Sequence, residues 1–168
     1  MYKFSIPTQF DSDLKNLCEL MNFKESYASD GSFYSQCQSL LRSETNAKEV
    51  FITPSGTSAL EMMAQIINFQ LGDEVILPSY TFSSTAMAFL NAGAKLVFVD
   101  VDISDGSIAT SDVVNNITEN TKAILAVSYG GRLSNQNQLC EIAKKKNILY
   151  LEDNAQSIGM IGLSKEIK

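Results

Sequence analysis

The sequence contains no histidine, and its only arginines are Arg42 and Arg132. Without histidine, Ser-His-Asp and Cys-His catalysis, histidine metal clusters and the commonest general acid/base are excluded. Chemistry has to come from other side chains or from a cofactor. Thirteen Lys plus Arg against 19 Asp plus Glu leave a net charge of -6, so the basic face that nucleic acid demands is missing and no nucleic-acid partner is expected. No apolar run approaches the roughly 20 residues that span a bilayer. The N-terminus, MYKFSIPTQFDSD, lacks the charged-then-apolar layout of a secretory leader. A soluble, cytoplasmic protein with no membrane association is the expectation. Cys18, Cys37 and Cys140 are odd in number and far apart, which suits reduced packing thiols better than a disulfide framework or a zinc site. No metal is expected.

What is present alternates regularly. EVFIT (Glu49–Thr53), EVILP (Glu74–Pro78), KLVFVDV (Lys95–Val101), KAILAVSY (Lys122–Tyr129) and ILYLEDN (Ile148–Asn154) are short runs rich in Val, Ile and Leu, and read as buried strands. Between them lie SALEMMAQIINFQ, FSSTAMAFLNAG, SDVVNNI and NQLCEIAKKKN, where apolar residues recur three and four apart, as Leu60, Met63 and Ile67 do. These read as crossover helices. Such alternation predicts the α/β class, a three-layer sandwich with a mostly parallel sheet, helices on both faces and right-handed crossovers. A further helix is predicted over Tyr34–Asn46, while residues 1–30 read as an arm or a helix. Length and composition suit one domain without repeats or linkers.

In open α/β sheets, ligands sit beyond the carboxyl ends of the strands. Three strand ends carry suitable groups. ILYL runs directly into Glu152 and Asp153, and a carboxylate held near a core is costly unless a cation or strong hydrogen-bond donors meet it. A metal or a protonated ring nitrogen would serve; a turn or helix cap is the plainer alternative. After FIT and Pro54, the residues Gly56, Thr57 and Ser58 open a helix whose free N–H groups and dipole suit a phosphate, or simply a Ser/Thr cap. The stretch is neither a Walker loop nor a GxGxxG turn, which disfavours ATP and NAD. After Pro78, a loop brings Tyr80 and Phe82 to the same edge, as a platform for a ring or as core packing. A phosphate cradle, a ring platform and a carboxylate together describe pyridoxal 5'-phosphate (PLP).

PSGTSALEMM, GDEVILPSYTFSSTAMAFLNAGAKLVFVDVD, AKKKNILYLEDNAQSIG and the upstream DGSFYSQCQSLL resemble the DegT/DnrJ/EryC1/StrS family of nucleotide-sugar aminotransferases, from Asp30 to Gly159. The resemblance implies the N-terminal part of the large domain of fold type I PLP-dependent transferases. Residues 1–168 would form a partial PLP-binding large domain, with 1–30 as an N-terminal arm or helix and the C-terminal small domain absent. It also implies PLP as cofactor, a 4-keto-6-deoxy nucleotide sugar as substrate, and an amino-acid donor, plausibly glutamate. The setting would be cell-surface polysaccharide biosynthesis, and the enzyme a homodimer with active sites at the subunit interface. By this resemblance Gly56, Thr57 and Ser58 hold the cofactor phosphate, Phe82 stacks on the pyridine ring, Asp153 pairs with the ring nitrogen and Gln156 lies near the phenolic oxygen. Asp153 and Gln156 are the catalytic candidates. Glu152, one residue earlier on the strand, is expected on the opposite face in a structural role.

The sequence also departs from the family pattern. Ser128 in VSYGG stands where the family commonly has histidine, and Asn137 where an aspartate is expected. The family's Schiff-base lysine follows a further glycine-rich stretch and a Ser-Phe motif, which the sequence does not reach by Lys168; Lys165 and Lys168 match neither motif and read as solvated. The expectation is therefore a truncated form of a sugar aminotransferase. The alternatives are a non-catalytic cofactor-binding or partner-subunit fragment, and an inactive gene product. The PLP-dependent dehydratases that replace the lysine by histidine are not separated from the aminotransferases by these residues.

Overall fold

Three asparagines punctuate the helices. In the computed structural model, which describes residues 11–22, 31–133 and 135–158, Asn46, Asn68 and Asn147 adopt the left-handed conformation, with φ of 55°, 56° and 55°. Each caps a helix C-terminus, where asparagine tolerates this geometry better than most residues.

The chain divides into two compact units, residues 1–50 and 51–168. In the first, α1 (Asp11–Asn22) and α2 (Ser32–Thr45) are helical. Helix α2 starts two residues before the predicted Tyr34 and ends at the Asn46 cap. Gln38 Nε2 donates to the Val50 carbonyl at 2.7 Å, and Arg42 pairs with Glu49 at 2.7 Å, tying the helix to the segment that follows it. The remainder of the predicted N-terminal arm lies outside the described residues.

The second unit is built on four parallel strands, β1 (Glu74–Pro78), β2 (Lys95–Val99), β3 (Thr121–Val127) and β4 (Leu149–Asp153), in the order β2-β1-β3-β4. All five residues of β1 are buried, as expected of a central strand covered on both faces. Helices α3 (Gly56–Ile67) and α4 (Ser83–Asn91) contribute Leu60, Ala64, Ala88 and Phe89 to one core, against Val75 and Leu77 of β1 and Ala123 and Leu125 of β3. Helices α5 (Thr110–Asn116) and α6 (Gln136–Lys146) contribute Val113, Leu139 and Ala143 to a second core, against Ile76, Ile124 and Ala126. The strands thus feed alternate side chains to opposite faces, with period two. The result is the three-layer α/β sandwich that the alternation predicts.

EVFIT is the exception. Residues 49–53 form no strand, and Phe51 is 63% exposed. Apolar composition suits a run to a sheet, but a strand exists only where a neighbour supplies backbone hydrogen bonds. None of the four strands pairs with this run: β1 and β3 have a neighbour on each side, and β2 and β4 form the sheet's edges. The other predicted strands hold to within two residues at each end. KLVFVDV is cut at Val99, with Val101 reduced to an isolated antiparallel bridge to Ile108.

Candidate active site

The order β2-β1-β3-β4 places a topological switch point between β1 and β3. From β1 the chain passes through α4, on one face, to β2; from β3 it passes through α6, on the other face, to β4. The loops leaving these two neighbouring strands therefore part, and a crevice opens at their carboxyl ends. A shallow pocket lies there, with Thr81 and Phe82 from the loop after β1, Ser128 and Tyr129 after β3, and Asp153 and Gln156 from the end of β4 and beyond.

Asp153 reaches the pocket because it ends β4 on the α4 side of the sheet. Its Oδ2 accepts a 2.7 Å hydrogen bond from the Thr85 hydroxyl of α4, and its Oδ1 accepts from the Ala155 N–H at 3.2 Å. Thr85 Oγ1 in turn accepts from the Thr81 hydroxyl at 2.9 Å. Glu152 takes the other face, where Tyr150 Oη and Asn154 Nδ2 donate to its two oxygens. Adjacent strand residues point to opposite sides, so one carboxylate serves the crevice and the other its own strand.

The turn after β3 is shaped by glycine. Ser128 is buried, and its N–H donates to the Asp153 carbonyl at 3.2 Å, extending the β3–β4 ladder by one bond. The chain then turns through Tyr129–Gly131, with Gly130 and Gly131 at φ of 66° and 77°, a left-handed pair that side chains resist. Gln156 Oε1 accepts from the Gly130 N–H at 2.6 Å. That bond fixes the amide, and its NH2 group has no partner among the described residues. Tyr129 packs on Tyr80 with ring centroids 4.4 Å apart, while the Phe82 ring stands 67% exposed at the rim.

Helix α3 runs back along the sheet, since its last turn leads into the amino end of β1. Its first turn, with Gly56, Thr57 and Ser58, therefore falls at the carboxyl edge. Ser55 caps the helix, its Oγ accepting from the Ser58 N–H at 3.1 Å. The N–H groups of Gly56 and Thr57 have no partner among the described residues, and the helix dipole adds to their pull on an anion. The pocket thus brings Phe82, Asp153 and Gln156 together, whereas Gly56, Thr57 and Ser58 share its edge without lining it. Sequence reasoning missed Thr81 and Thr85. The available signal was Thr85's place on the stripe Thr85, Ala88 and Phe89, a polar residue where α4 is otherwise apolar.

Residues 11–167 match the DegT/DnrJ/EryC1/StrS aminotransferase family. The chain belongs to this family. It is 33% identical to the pleiotropic regulatory protein of Geobacillus stearothermophilus, over 77% of this chain and 35% of that protein. It is 34% identical to a dTDP-4-dehydro-2,3,6-trideoxy-D-glucose 4-aminotransferase of Saccharopolyspora spinosa, over 66% of this chain and 29% of that one. Among solved structures, 3-amino-5-hydroxybenzoic acid synthase superposes with a TM-score of 0.85 at 26% identity, over 92% of this chain and 40% of that chain. The Bacillus subtilis protein NtdA, solved with bound PMP (pyridoxamine 5'-phosphate), superposes with a TM-score of 0.80 at 29% identity, over 87% of this chain and 33% of that chain. The chain therefore spans well under half the length of these DegT/DnrJ/EryC1/StrS relatives.

Ser128 and Asn137, expected to stand where the family has histidine and aspartate, are both placed by the structure. Ser128 makes a backbone bond to Asp153, and Asn137 is exposed in the first turn of α6. Lys165 and Lys168 lie outside the described residues. Among the described residues, no group of three or more His, Cys, Asp or Glu side chains could hold a metal ion, and no helix is long and apolar enough to cross a membrane.

Proposed function

We propose that this chain forms the cofactor-binding part of a PLP-dependent sugar aminotransferase. The enzyme would move an amino group from an amino-acid donor, glutamate, onto the keto carbon of a 4-keto-6-deoxy nucleotide sugar in cell-surface polysaccharide biosynthesis. One observation carries the proposal. The half-buried carboxylate of Asp153 lies in the switch-point pocket, bonded by the neutral donors Thr85 and Ala155, with no Lys or Arg in the pocket lining among the described residues. A carboxylate so held calls for a cation, and a protonated pyridine ring is one.

The remaining donor set fits the same group. Phe82 offers a flat apolar face at the rim, and, among the described residues, the Gln156 NH2 and the N–H groups of Gly56 and Thr57 have no partner, which suits an oxygen acceptor and a phosphate. When bound, PLP supplies an electron sink for the electrons left by a departing C–H proton. Asp153 would keep a proton on the ring nitrogen, Gln156 would orient the ring through its oxygen, and Phe82 would exclude water from one ring face. The working unit on this reading is a homodimer whose sites are completed at the subunit interface, and the exposed Tyr80 and Phe82 at the crevice support it.

No lysine lines the pocket among the described residues, which favours a second reading. On it, this chain binds and tunes the cofactor without carrying out transamination. Titration of the chain with PLP, watched by absorbance, followed by borohydride reduction and mass spectrometry, separates the two when run beside an assay with glutamate and a keto nucleotide sugar. Saturable binding, an adduct on one lysine and an amino-sugar product support the enzyme. Binding without adduct or product supports the binding module. An absence of saturable binding, or binding unchanged in Asp153→Asn, overturns the site assignment.

A further inference from the structure

Thr85 is fully buried on α4, at 0% exposure, yet its hydroxyl is not turned back onto its own helix. Its single proton goes to Asp153 Oδ2, 68 residues further along the chain, and its oxygen accepts the proton of Thr81. The direction of both bonds is thereby fixed: Thr81 donates to Thr85, and Thr85 donates to Asp153. Each hydroxyl in such a chain polarises the next and strengthens it as a donor. At the far end, Asp153 Oδ1 is held by the Ala155 N–H, so both carboxylate oxygens are anchored by protein donors from two directions.

We propose that Thr85 is the positioning residue for the cofactor site: its buried hydroxyl fixes the rotamer of Asp153, so that the side chain faces the ring nitrogen of a bound pyridoxal phosphate. The proposal rests on the cofactor reading given above. A threonine that only filled space on α4 would be replaceable by valine, which has the same shape and is more at home on an apolar stripe. A valine there would leave Asp153 Oδ2 without its 2.7 Å donor from α4.

PMP is the suitable probe, because it has no aldehyde and cannot react with surface lysines. Its affinity is read by fluorescence titration, and 15N-labelled PMP reports by NMR, at fixed pH, whether the bound ring nitrogen carries a proton. We expect Thr85→Val to bind PMP about tenfold more weakly than the unaltered chain, as fits loss of one hydrogen bond to a charged group. Its ring-nitrogen signal should move toward the neutral position, while Thr85→Ser restores both readouts. Should Thr85→Val fail to fold, Thr85→Cys keeps the volume with a weak donor and should fall between the unaltered chain and that loss. Unchanged affinity and an unchanged nitrogen signal in the folded variant overturn the positioning role and leave the cofactor reading standing. A Thr85→Ser variant as weak as Thr85→Val also overturns it, by tracing the effect to the methyl group. If the unaltered chain does not bind PMP, the cofactor reading falls and this inference falls with it.

Discussion

Glu74 and Lys95, the first residues of β1 and β2, lie opposite each other in the parallel register and meet in a 2.8 Å ion pair. The other Glu74 oxygen accepts from the Thr118 hydroxyl at 2.6 Å. This arrangement marks the amino edge of the sheet, away from the crevice. The Lys95 hydrogen bond first, then the Thr118 one, hold the Glu74 carboxyl below its ordinary value of 4.5 against the opposing effect of burial. A carboxyl lowered in the folded state stabilises it above the unfolded value, and that contribution is lost as pH falls through the folded one. Glu74→Gln should therefore destabilise the protein by about 1–2 kcal/mol near neutral pH. The gap between variant and unaltered chain should close as pH drops below 4.5, which urea unfolding at a series of pH values measures.

Gly130 and Gly131 separate two costs of replacing glycine. Both have positive φ, but a Cβ on Gly130 would meet nothing within 4 Å, whereas one on Gly131 would come within 3.3 Å of the Gln156 carbonyl. Gly130→Ala should cost about 1 kcal/mol from backbone conformation alone. Gly131→Ala should cost more, about 2 kcal/mol, and should also displace the segment carrying Gln156. Thermal unfolding reads the stabilities, and PMP titration should record a larger loss of affinity for the Gly131 variant.

These positions also mark what a sequence discloses. EVILP is legible because Val75, Ile76 and Leu77 form an unbroken apolar run bounded by Gly72 and Pro78, so the sequence itself carries the signal of a covered strand. EVFIT looks alike, but its status depends on a pairing partner, which composition does not encode. Within the site, Asp153 is legible because a charge at the end of an apolar strand is costly and needs a reason. Its separation from Glu152 follows from strand geometry, and the bonds of Glu152 to Tyr150 and Asn154 agree with it. Thr85 is not legible in the same way. A hydroxyl on a helix stripe fits many environments, and only the folded chain brings α4 against the end of β4.

Ser55 tests the α3 cap apart from anything it helps to bind. Its side chain satisfies the Ser58 N–H, while the N–H groups of Gly56 and Thr57 have no partner among the described residues. Ser55→Ala should cost about 1 kcal/mol of stability, and Ser55→Asp should keep the cap. The two differ in their effect on an anion, because the new carboxylate would compete for the same helix end. Inorganic phosphate should protect Ser55→Ala against thermal unfolding more than it protects Ser55→Asp.

Phe82 divides stability from binding most cleanly. Its ring is 67% exposed, so the folded state gains little from it, and Phe82→Ala should change stability by no more than about 0.5 kcal/mol. If the ring is instead the platform for a cofactor, its removal withdraws a stacking contact that exists only in the complex, and PMP affinity should fall about fivefold to tenfold. Phe82→Trp, with a larger aromatic face, should retain or raise the affinity. Urea unfolding and fluorescence titration on the same samples give both quantities. A variant that loses stability without losing affinity would assign Phe82 to packing and leave the crevice without its ring platform.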